Sequence, residues 1–204
     1  MSASEKHAIV ILAAGESSRM GQPKQLLQIN GKSLLRHAVE EAIDSDLGPV
    51  IVVLGAFAEQ IKEALPALEI KIVHNPDWQQ GMGTSIQKGI QEVQKEYDYS
   101  QGAILMLSDQ PYVNTILLNK LLQTHLHTQK PIVASTYQDT LGVPAYFHHS
   151  YFPFLSQLEG SIGARKLIQQ HKAQVASVDF PSGRFDVDTP EDYKKTKEKI
   201  ERGT

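Results

Sequence analysis

The sequence has 204 residues, no cysteine and a formal charge of −3. These features exclude a disulfide framework and a thiolate metal site, and the charge argues against nucleic acid as the main partner. The first seven residues are polar and the apolar runs are short, so we expect no signal peptide, no membrane span and a soluble cytoplasmic protein. The length and the lack of a linker-like stretch predict one domain over residues 1–204.

Short apolar runs alternate with helical patterns along the chain. The runs predict strands over 8–13, 50–54, 70–74, 103–107, 132–135, 143–147 and 175–178. The helical patterns predict helices over 34–43, 58–65, 84–94, 115–126, 162–170 and 190–200, the first capped by Ser33 and the last starting with a capping box at Thr189. Turn residues interrupt a strand-like run over 137–146, which indicates a hairpin or a mixed-sheet insertion. The alternation predicts an α/β fold with a mostly parallel sheet.

The first predicted strand runs directly into a loop of small residues, with the sequence IVILAAGESSRMGQPKQLL over residues 9–27. Ala13, Ala14 and Gly15 lack bulky side chains, so backbone N–H groups can approach an anionic ligand closely. Arg19 and Lys24 add positive charge to the same loop. We interpret this first loop as a triphosphate-binding site, the alternative being a connection whose two cations face water.

The spacing in the first loop does not fit the two commoner phosphate-binding motifs. Five residues separate Gly15 from Gly21, and Lys24 comes three residues after Gly21, so the chain lacks G-x-x-x-x-G-K-[ST] here. The same spacing excludes the G-x-G-x-x-G fingerprint of dinucleotide-binding folds. The sequence also has no G-x-S-x-G elbow, which argues against a serine hydrolase.

A second loop with glycines, GMGTSIQKG over residues 81–89, leads into a predicted helix. Around Gly81, Gly83 and Ser85, such a helix start offers N–H donors to an anion or to the edge of a base. The alternative is an ordinary capped helix. Trp78 precedes this second loop and can stack on a ring, although a single tryptophan beside Pro76 more often packs.

Two carboxylates are candidate ligands of Mg²⁺. Asp109 comes just after the apolar run AILML, where a buried strand ends and the chain turns. Mg²⁺ needs only one or two protein carboxylates besides substrate phosphates. Asp188 alternates with Asp186 in the extended segment FDVDTPEDY, so both point to one face. The alternatives are structural: Asp109 can cap the next helix, Asp188 can stabilise the helix that starts at Pro190, and for Asp186 we favour the structural role.

Four segments of the sequence together resemble the motifs of a known family. LAAG-x-S-x-RMG-x-PK-x-L, GMGTSIQKG, LSDQPYV and DVDTPEDY are similar, in content and in order, to the motifs of the MobA-like nucleotidyltransferases, nearest to the molybdenum cofactor cytidylyltransferases. The resemblance implies a Rossmann-like three-layer nucleotidyltransferase fold, with a mostly parallel central sheet and a small mixed-sheet acceptor-binding part. It also implies a nucleotide-binding half over about residues 1–112 and an acceptor-binding half over about residues 113–204.

The same resemblance implies roles for individual residues. Arg19, Lys24 and Asp109 are the expected catalytic residues, and Asp109 and Asp188 are the expected ligands of Mg²⁺. The expected nucleotide-binding residues are Leu12, Ala13, Ala14, Gly15, Gly81, Gly83 and Ser85. These parts suit attack by an acceptor phosphate on the α-phosphorus of a nucleoside triphosphate, with release of pyrophosphate.

The resemblance also implies CTP and a molybdopterin-type acceptor as substrates, with a molybdoenzyme or its maturation factor as a possible protein partner. The AAG of the first loop follows the cytidylyl type, whereas guanylyl relatives usually carry a glycine pair there. Val143 replaces a histidine found in several cytidylyltransferases, and Ser161 stands where an aspartate is usual, so the acceptor stays open. Arg165 can meet an acceptor phosphate, although an arginine at helical spacing more often faces solvent.

Two other functions fit the residues. One is a nucleotidyltransferase that acts on a sugar phosphate or an alcohol phosphate, since such relatives share the glycine loop and the lysine. The other is a noncatalytic nucleotide-binding accessory factor for the maturation of a molybdoenzyme. The presence of Arg19, Lys24 and Asp109 argues against the accessory factor. We expect neither nucleic acid nor a membrane as a partner.

Overall fold

A mixed sheet forms the centre of the part of the chain that the structure describes. The structure is a computed structural model and describes residues 7–65, 68–98 and 100–202. Its strands are β1 (Ala8–Ala13), β2 (Gln28–Ile29), β3 (Lys32–Ser33), β4 (Val50–Leu54), β5 (Lys71–His74), β6 (Gly102–Leu107), β7 (Ile132–Tyr137), β8 (Thr140–His148) and β9 (Val175–Asp179). Within the described residues, seven strands form one sheet in the order β5-β4-β1-β6-β8-β7-β9, and β2 pairs only with β3.

The direction of the strands changes at β8. β1 pairs in parallel with β4 and β6, β4 with β5, and β7 with β9, whereas β8 is antiparallel to both β6 and β7. Gln138 and Asp139 form the tight turn between β7 and β8, with positive φ angles of 49° and 57°. Two such residues in succession are what a type I′ hairpin turn requires. The hairpin predicted over 137–146 is confirmed, and its strands belong to the main sheet.

Helices cover both faces of the sheet. The α-helices of the described residues are α1 (Leu34–Asp44), α2 (Ala58–Ala64), α3 (Met82–Glu96), α4 (Thr115–Thr128), α5 (Phe152–Leu155), α6 (Ala164–Gln170) and α7 (Pro190–Glu201). One face packs on α1, α2 and α4 through residues such as Leu35 and Leu118, and the other packs on α3, α5 and α6 through residues such as Ile90 and Leu167. Because both faces are covered, all six residues of β1 are buried. The predicted three-layer α/β fold with a mostly parallel sheet is confirmed.

The sequence analysis did not predict the shortest elements, and the predicted ends of the other strands and helices differ from the observed ends by up to three residues. Helix α5 has only four residues, too few to show a helical period. The β2–β3 hairpin was also not predicted, although its turn carries the Asn30-Gly31 pair, with φ angles of 51° and 74°. Helix α6 begins two residues later than predicted because Gly163, its N-cap, is extended.

Within residues 7–65, 68–98 and 100–202, we find no helix with the length and apolar character needed to cross a bilayer.

The C-terminal helix brings the end of the chain back to the first loop. The predicted capping box is present at the start of α7: Asp192 N–H donates to Thr189 Oγ1 at 3.2 Å, and Thr189 N–H donates to the Asp192 carboxylate at 3.0 Å. Tyr193 and Ile200 then pack on an apolar cluster formed by Met20, Leu27, Ile29, Leu34 and Val187. This packing holds the last motif beside the carboxyl ends of the parallel strands, where open α/β sheets bind their ligands.

Candidate active site

The first loop folds back on itself between β1 and a short 3₁₀ turn at Lys24–Leu26. Ser17 and Gly21 have left-handed backbone conformations, with φ angles of 57° and 68°, and the N–H of Met20 donates to the Ser17 carbonyl at 2.8 Å. The Ser17 hydroxyl accepts the N–H of Lys24 at 3.1 Å. These local hydrogen bonds fix the backbone of the loop and therefore the position from which the Lys24 side chain extends.

A buried glutamine holds the beginning of the first loop. Gln25 is 1% exposed, and its Nε2 donates to the carbonyls of Ala13 (2.9 Å) and Gly15 (3.0 Å). A trans peptide directs its N–H opposite to its C=O, so the N–H groups of Ala14 and Glu16 point away from Gln25. The sequence analysis did not select Gln25, because a polar residue next to a lysine gives no sign of burial.

Four charged side chains from three distant segments meet at this edge of the sheet. Lys24 Nζ contacts Oδ2 of Asp109 and lies 2.9 Å from Oδ1 of Asp188. Arg19 Nη2 lies 3.1 Å from Oδ2 of the same Asp188. The Lys24 and Asp109 side chains are largely buried, whereas the Arg19 side chain is 68% exposed. The structure therefore brings together the predicted catalytic residues and both predicted metal ligands.

The electrostatics of this charge cluster favour the charged forms of Lys24 and Asp188. Burial by itself lowers the pKa of Lys24, but the charges and hydrogen bonds of Asp109 and Asp188 outweigh it and hold that pKa above its usual value. Burial by itself raises the pKa of Asp188, but Lys24 and Arg19 outweigh it and hold that pKa below its usual value. Lys24 and Asp188 are therefore both charged at neutral pH.

A backbone hydrogen bond aligns the last motif with the strand end that carries Asp109. The N–H of Val187 donates to the Asp109 carbonyl at 3.0 Å, and the Val187 side chain is fully buried in the apolar cluster beneath α7. Side chains alternate along this extended segment, so those of Asp186 and Asp188 point to the side opposite the Val187 side chain. The Asp188 carboxylate bonds to the two cations of the first loop, while Thr189 provides the cap of α7.

Asp186 lies next to the charge cluster and is half-buried. Burial raises the pKa of Asp186 to about 6, the negative charge of Asp109 acts in the same direction, and a hydrogen bond from the Gln110 amide opposes them. Among the described residues, neither Asp186 Oδ1 nor Gln110 Oε1, both buried, has a hydrogen-bond partner. The sequence analysis favoured a structural role for Asp186. The structure places its carboxylate close enough to Asp109, Asp188 and Lys24 for their charges to affect its pKa.

A cavity of about 500 Å³ lies between the first and second loops. Several of its lining residues are site residues predicted from the sequence: Leu12, Ala13, Ala14, Gly15, Lys24, Gly81, Ser85 and Asp109. The lining also includes Glu16, Trp78, Gln79, Met82 and Ser108, which were not predicted as site residues. A volume of this size is typical of pockets for small molecules and cofactors.

The two predicted glycines of the second loop have different surroundings. Gly81 lines the cavity, whereas Gly83 is buried and donates its N–H to the Gly160 carbonyl at 2.9 Å. A Cβ at Gly81 would lie 2.5 Å from the Gly160 carbonyl oxygen, and a Cβ at Gly83 would lie 2.9 Å from the Leu158 oxygen. Both glycines therefore permit close approach of the 158–161 segment. The N–H of Gly83 is engaged by the Gly160 carbonyl and is not available as a donor to a nucleotide.

Three residues were considered in the sequence analysis for contact with the acceptor, and they lie in different parts of the fold. Val143 is in β8, Ser161 is in the segment between α5 and α6, and Arg165 is in α6. The Val143 carbonyl accepts a long hydrogen bond (3.4 Å) from Gln110 Nε2. Ser161 is exposed and belongs to the segment that touches the second loop. Arg165 is also exposed, and its Nη2 donates to Thr140 Oγ1 at 3.4 Å. Such an exposed guanidinium is free to reorient toward an anion.

Asp109 and Asp188 have the chemistry that a hard divalent cation requires. Within the described part of the chain, Oδ1 of Asp109 is buried and has no hydrogen-bond partner. The same residues contain no group of three or more His, Cys, Asp or Glu side chains arranged to hold a metal ion by themselves. Mg²⁺ fits these two carboxylates, since it keeps several waters and takes other ligands from substrate phosphates.

Comparison with known proteins places this geometry in context. Residues 9–175 match the family model of the MobA-like NTP transferase domain. The chain is 29% identical over 194 residues to the purine catabolism protein PucB of Bacillus subtilis, a match that covers 90% of this chain and 92% of PucB. It is 31% identical over 192 residues to the nicotine blue oxidoreductase of Paenarthrobacter nicotinovorans, a match that covers 89% of this chain and 92% of that protein.

Solved structures extend the similarity to three dimensions. Rv0371c from Mycobacterium tuberculosis superposes with a TM-score of 0.83 at 29% identity, covering 95% of this chain and 97% of that chain. Rv0371c solved in complex with manganese superposes with a TM-score of 0.77 at 28% identity, covering 95% of this chain and 98% of that chain. The similarity therefore extends over nearly the whole length of both chains.

Proposed function

The chain belongs to the family of MobA-like NTP transferase domains, as its motifs predict, and from this premise we propose one reaction. We propose that the protein transfers CMP from CTP to the phosphate of a molybdopterin-type acceptor and releases pyrophosphate. The observation that carries this proposal is the charge cluster of Arg19, Lys24, Asp109 and Asp188 beside a nucleotide-sized cavity.

In the proposed reaction, an oxygen of the acceptor phosphate attacks the α-phosphorus of CTP. A new P–O bond forms to the acceptor, the bond from the α-phosphorus to the oxygen that bridges to the β-phosphate breaks, and pyrophosphate leaves with that electron pair. No covalent enzyme intermediate is needed. Because the attacking and attacked groups are both negatively charged, the protein has to reduce their repulsion and align them.

The residues of the first loop can provide most of that stabilisation. Lys24 carries a charge that its two carboxylate partners maintain despite its burial. Arg19 is exposed and can turn from Asp188 to the triphosphate, while the N–H groups directed away from Gln25 add further donors. Asp109 and Asp188 would hold Mg²⁺, which when bound neutralises negative charge on the phosphates.

We assign the nucleotide to residues 1–112 and the acceptor to residues 113–204. The lining of the cavity supports the first assignment, since it consists of residues between 12 and 109. The exposed Arg165 and the half-buried Asp186 support the second, because both lie in the later half and Asp186 adjoins the charge cluster. The AAG of the first loop supports CTP, and the likeness of the motifs to cytidylyltransferases supports a molybdopterin-type acceptor. The product would then pass to a molybdoenzyme or its maturation factor.

Pyrophosphate release tests this proposal directly. The purified protein is incubated with Mg²⁺ and each of CTP, GTP, ATP and UTP, together with molybdopterin, a sugar phosphate or an alcohol phosphate. We expect release with CTP and molybdopterin, and a loss of that release in the Lys24→Met variant. Release with a sugar or alcohol phosphate alone would replace the acceptor that we propose. Nucleotide binding without release under any condition would leave only an accessory role.

The name of one relative calls for an additional measurement. The nicotine blue oxidoreductase of P. nicotinovorans is similar to this chain over most of both lengths. The oxidation of NADH and NADPH should therefore be followed in the same preparations, with a quinoid dye as the electron acceptor. We expect no turnover above background, because the first loop lacks the spacing of the G-x-G-x-x-G fingerprint. Turnover that persists in the Lys24→Met variant would instead indicate a redox activity.

A further inference from the structure

We propose that Trp78 forms the wall of the cavity against which the base of the nucleotide stacks. This inference rests on the proposed function, which requires a nucleoside triphosphate in the cavity. Trp78 lines that cavity together with residues of both loops and is half-buried. The sequence analysis weighed stacking on a ligand ring against packing for Trp78. In the structure, Trp78 packs on Gly55 and also lines the cavity.

The backbone around Trp78 is fixed by a buried asparagine. Asn75 is fully buried, its Oδ1 accepts the N–H of Asp77 at 3.0 Å, and its Nδ2 donates to Thr84 Oγ1 (2.9 Å) and Ser85 Oγ (3.0 Å). These bonds tie the 3₁₀ turn Trp78–Gln80 to the start of α3. Trp78 therefore keeps a fixed position relative to Ser85, which also lines the cavity. A wall that is held in place in advance loses little entropy when a ligand binds.

The base of the Trp78 side chain packs on a glycine at the end of β4. A Cβ at Gly55 would lie 2.6 Å from Trp78 Cβ, 2.7 Å from Trp78 Cγ and 2.8 Å from the Ala14 carbonyl oxygen. The N–H of Ala56 donates to that same carbonyl at 3.0 Å. Only glycine allows this contact, which holds the base of the Trp78 side chain close to the end of β4 and to the Ala14 carbonyl of the first loop.

The chemistry of the lining matches the two ends of a nucleotide. Lys24 and Asp109 bring the charges that suit a triphosphate and its cation, and Trp78 is the aromatic side chain among the lining residues. Every nucleobase has a π-face, so stacking on an aromatic ring tolerates any base. Trp78 would therefore set how tightly a nucleotide binds, while the small residues of the first loop set which base fits.

The chain contains a single tryptophan, so its fluorescence reports on this position alone. Emission is recorded while CTP with Mg²⁺ is added, and in parallel while inorganic tripolyphosphate with Mg²⁺ is added. A stacked base quenches the indole, so we expect saturable quenching by CTP. We expect tripolyphosphate to compete with CTP and to leave the emission unchanged. Equilibrium dialysis with labelled CTP gives the dissociation constant independently of fluorescence.

Variants at position 78 test the same inference without fluorescence. Trp78→Leu keeps an apolar side chain and removes the ring, so its affinity for CTP should fall by about 5- to 150-fold, the range measured for losing one base–aromatic stack. Trp78→Phe restores a ring and should recover most of that affinity. The affinity for tripolyphosphate should be the same in both variants. Circular dichroism and the melting temperature verify that both variants are folded.

The outcomes separate this inference from the proposed function. Binding of CTP in dialysis with unchanged emission of the wild-type protein would overturn stacking and leave the nucleotidyltransferase reaction standing. Equal CTP affinity of Trp78→Leu and Trp78→Phe would do the same. If no nucleoside triphosphate binds at all, both the inference and the proposed function are wrong. The wild-type titration decides the question even if Trp78→Leu does not fold.

Discussion

Replacing Lys24 with methionine removes an ammonium group that lies between two carboxylates. Lys24 Nζ contacts Asp109 and lies 2.9 Å from Oδ1 of Asp188, and its side chain is 16% exposed. Methionine keeps an unbranched side chain of similar length, so the packing of the stem changes little. The substitution therefore leaves Asp109 and Asp188 close together without the cation that both of them contact.

The size of the effect follows from the burial of the pair. Removing one partner of a buried ion pair costs about 3–5 kcal/mol, because the remaining charge stays desolvated. The Asp188 side chain is 37% exposed, so water screens part of its charge, and we expect a loss of about 2–4 kcal/mol in the free energy of unfolding. For a chain of 204 residues this loss lowers the melting temperature by about 5–15 °C.

Two measurements follow this change. Urea unfolding at pH 7.5 gives the free energy difference, because the raised pKa of Lys24 keeps the wild-type ammonium charged there. Pyrophosphate release gives the effect on catalysis, which should fall on the order of a hundredfold or more. Mg²⁺ should raise the melting temperature of Lys24→Met by more than that of the wild-type protein, since a divalent cation can then replace the ammonium between Asp109 and Asp188.

Lys32→Met is the matched control for the same substitution at a surface pair. Lys32 Nζ lies 2.6 Å from Glu40, but its side chain is 52% exposed, so the loss should stay below about 1 kcal/mol. An equal loss of stability in Lys24→Met and Lys32→Met would refute the inference that burial makes the Lys24 pair strong. A fall in turnover of less than tenfold in Lys24→Met would remove the ammonium from the proposed chemistry.

Three further predictions concern single residues. Asp109→Asn should abolish Mg²⁺-dependent pyrophosphate release and preserve the far-ultraviolet circular dichroism spectrum, and unchanged release would exclude Asp109 from the site. Gln25→Leu leaves the carbonyls of Ala13 and Gly15 without their donor, so the free energy of unfolding measured in urea should fall by about 2–6 kcal/mol, at about 1–3 kcal/mol for each unsatisfied group. The KM for the nucleotide should rise in the same variant, and an unchanged KM would show that Gln25 does not shape the loop. Burial, assisted by two neighbouring histidines, lowers the pKa of His7 from 6.5 to about 4, so the unfolded state binds a proton first and stability is lost as the pH falls from 6.5 towards 4. The loss should reach roughly 3 kcal/mol in urea unfolding at pH 4 compared with pH 7 and should be smaller in His7→Phe, whereas equal pH dependence of the two proteins would contradict the assignment.

Features set by neighbouring residues were predictable from the sequence. The continuous apolar run of β1 indicated a strand covered on both faces, and the structure buries all six of its residues. Ser33 and Thr189 were predicted as helix caps and both accept the expected backbone N–H, from Arg36 and Asp192 respectively. The motifs were sufficient to identify the family, which the family model confirms. The strand and the two caps depend on residues that lie close together in the chain, and each family motif is itself a short segment.

Other features depend on residues that the sequence separates widely. Lys24 meets Asp109 across 85 positions because β1 and β6 pair side by side, and it meets Asp188 across 164 positions because α7 packs back on residues of the first loop. Gln25 looks like any polar loop residue until Ala13 and Gly15 fold around it.

The sequence by itself determined the order of the main strands and helices along the chain and the helix caps at Ser33 and Thr189, because apolar periodicity and capping are local properties. Its four motifs determined the family. Only the tertiary structure decided that the β7–β8 hairpin joins the main sheet between β6 and β9, that the Gly83 N–H donates to the Gly160 carbonyl, and that Trp78 rests on Gly55 beside the cavity. The physical reason is that burial and ionic contacts between distant segments arise when the chain packs into its core. Short-range patterns do not record which segments will become neighbours.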